Sequence, residues 1–328
     1  MTSIELRYIR QIVSYYNNVR RLADVVLSYT DTDAYSYMDT NTLRACTFLD
    51  KGGVGKTTAT AHLSVPISED YQTLLVDLAG KQNDLAKQFG CFDEVEANAD
   101  DWPNVSTVFS EEWDSIAEKV PDATAEMILE TDEGPDLLPA HKGLDQVDDD
   151  LASIAVERRY ALFDHFLTEY VEPLGYDVIL LDLPGLTNNI TLNGLWAARN
   201  VVAPVELGAF EERQMDALME DLDELEDIFE VDVGVVMVLP NRVDTRTSLA
   251  RTLLNELADG FAESIAPAHI PQSQDIRNAQ REGCTVFALE EPSQTAQRAR
   301  DAYREDAVAL LDRLQQLQTG VESEQEVA

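Results

Sequence analysis

The octapeptide Lys51-Gly52-Gly53-Val54-Gly55-Lys56-Thr57-Thr58 constrains this chain of 328 residues more than any other feature. It follows Leu43-Arg44-Ala45-Cys46-Thr47-Phe48-Leu49-Asp50, a short apolar run that reads as a strand. It precedes Ala59-Thr60-Ala61-His62-Leu63, which reads as the start of a helix. A strand and a helix on either side of a glycine-rich turn ending in G-K-[ST] are the setting of a phosphate site. Gly52, Gly53 and Gly55 let backbone N–H groups crowd around an anion where a Cβ would block the approach. The helix opening at Lys56 adds the positive end of its dipole. The Lys56 ammonium is placed to reach β- and γ-phosphates, and the Thr57 hydroxyl to ligand Mg²⁺. Val54 and Thr58 complete the loop, which reads as a nucleotide site.

A site for a polyanion sits in a strongly acidic chain. The formal net charge is −38 and the pI about 4.2. Lysine occurs six times against eighteen arginines, and two of the six lysines lie in the loop. Carboxylates spread along the chain, with few lysines, are the composition of a protein kept soluble in a salt-rich cytoplasm, as in halophiles. Cys46, Cys91 and Cys284 lack metal or disulfide spacing, which fits a reducing cytosol. His62, His141, His165 and His269 form no ligand cluster. No apolar run reaches membrane-spanning length and no secretory signal opens the chain.

Lys51 narrows the reading. With a second lysine at its front, the loop K-G-G-V-G-K-T-T resembles that of the deviant Walker A ATPases, the group of the ParA partition ATPases, MinD and the nitrogenase iron protein. A second cation beside three phosphates is sensible charge neutralisation. That it reaches the ATP of a partner subunit is what the resemblance implies.

Later blocks keep the same order. Gln72-Thr73-Leu74-Leu75-Val76-Asp77-Leu78 reads as a buried parallel strand ending in an acid. In partition ATPases such a run leads into D-P-Q-G-N, whose Asp positions the attacking water. Here the chain reads Asp77-Leu78-Ala79-Gly80-Lys81-Gln82-Asn83-Asp84. Asp77 matches the family's first Asp, but Ala79 falls where the catalytic one stands, and alanine neither orients nor deprotonates water. Asp77 and Asp84 are the acids left to substitute. Asp136-Leu137-Leu138-Pro139-Ala140 resembles the family's L-L-P-A strand. Asp177-Val178-Ile179-Leu180-Leu181-Asp182-Leu183-Pro184-Gly185 has the form of a Walker B strand, whose final Asp182 would hold Mg²⁺ through water. With Thr191 to Arg199 and Val201 to Glu206 it resembles the partition-ATPase run D-x-P-P, T-x-N-A-L-x-A-A-D, P-V.

Toward the end of the chain the match loosens. Val233 to Leu239 reads as another buried strand. Asn241 behind it resembles the group's adenine-contacting Asn, with a turn-forming Asn as the alternative. Arg246 falls on an arginine that resembles one holding non-specific DNA. In the stretch from Ile270-Pro271 to Gly283, Gln272 and Asp275 occupy positions usually basic, while Arg277 and Arg281 are displaced candidates for a new basic edge. Residues 91–136 read as surface helices and loops, 211–229 as a helix with a solvated acidic face, and 294–317 as an amphipathic helix.

The expected architecture is α/β, a mainly parallel sheet flanked by helices with ATP at the strands' carboxyl ends. Residues 1–37 carry four arginines, four acids and six of the eleven tyrosines. They read as an upstream extension with Met38 as the working start. The alternative is an amphipathic helix (Ile4, Leu6, Ile9, Ile12, Val13) that binds a partner or DNA. Residues 38–318 form the ATPase domain and 319–328 a disordered acidic tail. The resemblance implies an ATP-switched homodimer that partitions or positions DNA, with ATP and Mg²⁺ as cofactors and a ParB-like partner that stimulates hydrolysis. It implies a cytoplasmic, nucleoid-associated protein with no membrane. The competing reading is a regulator or scaffold that binds ATP and scarcely hydrolyses it, as Ala79 favours. A MinD-like membrane role lacks the basic C-terminal helix, and an iron-protein role lacks paired cysteines.

Overall fold

Strands buried on both faces read as continuous apolar runs, and four of the runs above are of this kind. The computed structural model describes residues 42–80, 83–207, 215, 218–220, 222 and 232–325. Six strands, β1 (Leu43–Thr47), β2 (Thr73–Asp77), β3 (Asp136–Leu138), β4 (Val178–Asp182), β5 (Asn200–Glu206) and β6 (Gly234–Asn241), form one sheet in the order β3-β2-β4-β1-β5-β6. Every pairing is parallel. The period of two divides the strand side chains between two cores. Ile179 and Leu181 join Leu74, Val76 and Cys46 on one face, while Val178 and Leu180 join Leu75, Leu43 and Ala45 on the other.

Helices cover both faces. Helix α1 (Lys56–Ser68) opens at the glycine-rich turn, and the short α2 (Asp84–Gln88) follows the end of β2. Between β4 and β5 runs α3 (Asn189–Ala198); after β6 come α4 (Ser248–Gly260), α5 (Gln274–Glu282) and α6 (Gln294–Gln325). Ala59, Ala61 and Leu63 of α1 pack with Ala299, Ala302, Tyr303 and Leu310 of α6 on one side of the sheet. Ile190, Leu195 and Ala198 of α3 cover the other.

Three expectations change. The stretch 91–136, read as surface, supplies part of the core on the face that α3 covers. Val105, Val108, Phe109 and Trp113 are buried, Phe109 stacks on Phe163 (5.1 Å between centroids) and Trp113 meets Phe166 edge-on at 5.3 Å. Most of its acids face solvent while Val105, Val108, Phe109 and Trp113 face the core, a division that mean polarity hides; Trp102 is the exception, 61% exposed. Helix α6, expected to end at 317, continues to Gln325. Past 317 the sequence holds one glycine and no proline, so nothing interrupts the backbone ladder. Arg44 lies mid-strand in β1, within the supposed apolar run. Its guanidinium is satisfied by Glu172 (Nε to Oε1, 2.8 Å), Asp164 (2.7 Å) and Thr168 (2.8 Å). The 1–37 extension, the start at Met38, and all but five residues of the 211–229 helix lie outside the described residues.

Candidate functional site

Parallel strands aim their carboxyl ends at one edge, and register decides which side chains meet there. Thr47 of β1 and Asp77 of β2 both pair with Asp182 of β4, so the last residues of three neighbouring strands converge. The turn from Asp50 to Gly55 leaves β1 at that same edge and delivers Lys56 to the first turn of α1. Gly53 (φ +80°) and Gly55 (φ +93°) occupy the left-handed region that a side chain rarely adopts. A Cβ on Gly55 would also lie 2.4 Å from Asn241 Nδ2.

Lys56 is buried, and its ammonium donates to the carbonyls of Lys51 (2.8 Å) and Leu49 (3.2 Å). Burial pulls its pKa down, while the carboxylates of Asp182 and Asp50 pull it back up. Gly185, just past β4, passes so close that a Cβ there would be 2.7 Å from Lys56 Nζ. Lys51 is half-buried at the mouth of the loop, where Gly52 and Gly53 are exposed.

Asp182 is fully buried. Its Oδ1 accepts from Thr47 Oγ1 at 3.2 Å, and burial raises its pKa to about 6 against the lowering effect of the nearby Thr57 hydroxyl and Lys56 ammonium. Its Oδ2 has no hydrogen-bond partner. An orphaned buried carboxylate oxygen beside a threonine hydroxyl is a hard-oxygen donor set that fits magnesium, which keeps several waters and takes few protein ligands. Among the described residues no cluster of three His, Cys, Asp or Glu could hold a metal by side chains alone.

Asp77 ends β2 beside Asp182. Its Oδ1 accepts from the Ala79 N–H (2.9 Å) and its Oδ2 from the Leu85 N–H (3.4 Å), so both oxygens brace the loop into α2. Burial, then the neighbouring Asp182, pushes its pKa upward. Asp84 at the start of α2 is half-exposed and pairs with Lys87 at 3.2 Å. Ala79 brings no acid.

Asn241 reaches the loop from behind. Its Nδ2 donates to the Val54 carbonyl (2.8 Å) and its Oδ1 accepts from the Arg242 N–H (2.9 Å). Arg242 and Glu206 were not singled out from sequence, yet Arg242 Nη1 donates to the Gly53 carbonyl at 2.6 Å and lies 3.3 Å from Glu206 Oε2. The remaining arginines lie on other elements. Arg246, before α4, is exposed, but its Nε and Nη2 each sit 2.7 Å from the Asp244 carboxylate. Those bonds hold Asp244 down at about 2. Arg277 and Arg281 are exposed and one turn apart on α5.

A family model described as AAA domain matches residues 45–234. The chromosome-partitioning ATPase Soj of Thermus thermophilus is 27% identical over 267 residues, covering 81% of this chain and 94% of Soj. The chromosome partitioning protein ParA of Caulobacter vibrioides is 25% identical over 252 residues, covering 76% and 88%. Among solved structures, cobyrinic acid a,c-diamide synthase from Mycobacterium smegmatis with a bound ATP analogue and magnesium superposes with a TM-score of 0.60 at 25% identity, covering 82% and 94%. McdA of Cyanothece in complex with ATP shares the fold (TM-score 0.67, 19% identity, covering 83% and 97%).

Proposed function

Because the chain belongs to the AAA-domain family, and within it to the ParA/MinD-type ATPases, we propose that it is an ATP-switched dimer that partitions or positions DNA and hydrolyses ATP slowly. The observation that carries the reading is the meeting of the glycine turn, the Lys56 ammonium and the Asp182 carboxylate at the carboxyl ends of β1 and β4. Relatives named as chromosome-partitioning proteins support the DNA role. A similar structure holding an ATP analogue and magnesium supports the ligands.

The loop's N–H groups, the α1 dipole and Lys56 bind the phosphates. Lys56 already faces the loop, and its carbonyl partners are replaceable by phosphate oxygens. Thr57 and Asp182 would hold magnesium, which when bound neutralises charge on the β- and γ-phosphates. Lys51 supplies a further cation at the loop mouth. Asp77 orders the segment around Ala79 through the backbone N–H groups of Ala79 and Leu85, and each of its oxygens keeps a free acceptor site with which it could still hold water. Slow turnover follows from the missing acid. For DNA, Arg277 and Arg281 form the available basic edge, whereas the charge of Arg246 is answered by Asp244. A ParB-like protein is the partner expected to accelerate release.

Ala79 also favours a second reading, an ATP-bound regulator or scaffold with almost no hydrolysis. Steady-state turnover in molar KCl with Mg²⁺, with and without DNA, separates the two when Lys56→Ala serves as the blank. Turnover above that blank supports the partition-type ATPase. Saturable ATP binding without turnover, with hydrolysis gained in Ala79→Asp, supports the locked switch.

A further inference from the structure

A loop that binds an anion through its N–H groups must keep its carbonyls turned elsewhere. A carbonyl facing inward would set partial negative charge against the phosphates. Four carbonyls here are held by side chains. Lys56 holds those of Leu49 and Lys51, Asn241 that of Val54, and Arg242 that of Gly53. Lys56 is the donor expected to leave for phosphate. Asn241 and Arg242 stand behind the loop and can keep their carbonyls throughout.

The structure prepares Arg242 for this. Glu206, the last residue of β5, pairs in register with Asn241, the last of β6, so it lies beside Arg242. Its carboxylate sits 3.3 Å from the guanidinium nitrogen that donates to Gly53. The Arg242 backbone is at φ +53°, uncommon for a residue with a side chain, and its N–H is capped by Asn241 Oδ1. Strand end, acid and amide together aim one guanidinium at one carbonyl.

We propose that Arg242 is a positioning residue of the nucleotide site: anchored by Glu206, it keeps the Gly53 carbonyl turned out of the phosphate cradle. The inference rests on the loop being a nucleotide site. A lysine at 242 offers one ammonium where the fork addresses a carbonyl and a carboxylate together, so it restores only part of the effect.

The test is calorimetric titration of MgATP and MgADP into the full chain in molar KCl, beside thermal unfolding without nucleotide. Arg242→Ala weakens both nucleotides about five- to tenfold, as loss of one half-exposed charged hydrogen bond predicts. Arg242→Lys recovers part of that loss, and the nucleotide-free melting temperature moves by less than about 3 °C. Glu206→Ala weakens binding in the wild-type background and adds nothing to Arg242→Ala, because it acts through the arginine. Arg242→Met serves equally should the alanine variant fold poorly. Wild-type affinity in Arg242→Ala, or additive losses with Glu206→Ala, overturns the proposal. Failure of the wild-type chain to bind either nucleotide would instead overturn the nucleotide-site reading itself.

Discussion

Replacing Gly55 by alanine tests the loop geometry through the fold, without any ligand. Gly55 lies at φ +93° at the start of α1, where an alanine pays about 1 kcal/mol of backbone strain. Its Cβ would stand 2.4 Å from Asn241 Nδ2, so the amide must retreat and release the Val54 carbonyl it holds at 2.8 Å. Leaving those buried groups unsatisfied costs about 1–2 kcal/mol. The stiffer unfolded chain offsets about 0.5 kcal/mol. The net expectation is about 2 kcal/mol of destabilisation. Gly52 provides the control, since its φ is outside the left-handed region and a Cβ there meets nothing within 4 Å. Gly52→Ala should therefore be neutral or stabilising by about 0.5 kcal/mol. Nucleotide-free denaturant unfolding followed by circular dichroism, with the m-value as a check, measures both. Agreement of the two variants within about 0.5 kcal/mol would refute the reasoning.

Other outcomes follow from buried charges and from the arginines. His62 is fully buried, sharing Nδ1 with the Thr58 carbonyl and accepting the Val286 N–H at Nε2, and burial lowers its pKa to about 4. The unfolded chain therefore takes up a proton near pH 6.5 that the native one refuses. The stability this group contributes is full above 6.5 and falls by up to about 3 kcal/mol on approaching pH 4. His62→Gln should flatten that limb, as wild-type-minus-variant unfolding free energies against pH will show. Asp306 behaves oppositely. Burial raises it to about 7, so its contribution is intact at acid pH and lost as pH rises through 7. Asp306→Asn keeps the acceptor for the Ala268 N–H and should gain at most about 4 kcal/mol over wild type at pH 8, with little difference at pH 4. Asp244→Asn releases Arg246 from its carboxylate, so DNA affinity measured by fluorescence anisotropy should rise severalfold with a log–log salt slope steeper by about 1. An unchanged slope would remove Arg246 from the DNA surface.

Much of this was legible because the informative segments are local. The glycine turn, the acid-tipped strands ending at Asp77 and Asp182, and their order point to one edge of a parallel sheet, where the structure brings them together. The unseen parts depend on partners distant in the chain. Arg44 sits inside a run read as apolar, because Glu172 and Asp164, more than a hundred residues away, neutralise it and Thr168 accepts a further hydrogen bond. Arg242 carries no motif; only the pairing of β5 with β6 brings Glu206 beside it and the loop in front of it. Asn241 showed its position from sequence, and the structure adds that its amide holds the Val54 carbonyl. Arg246 matched a pattern by position, but pattern does not report that Asp244 two residues earlier binds both arms of its fork.

The proposed function requires that the turn from Lys51 to Thr58 bind MgATP. Calorimetric titration of ATP in molar KCl, with and without Mg²⁺, on the wild type and on Lys56→Ala with its fold verified by circular dichroism, measures it directly. Saturable, magnesium-dependent binding that Lys56→Ala abolishes is the predicted result. No binding by the wild type, or equal binding by Lys56→Ala, would contradict it.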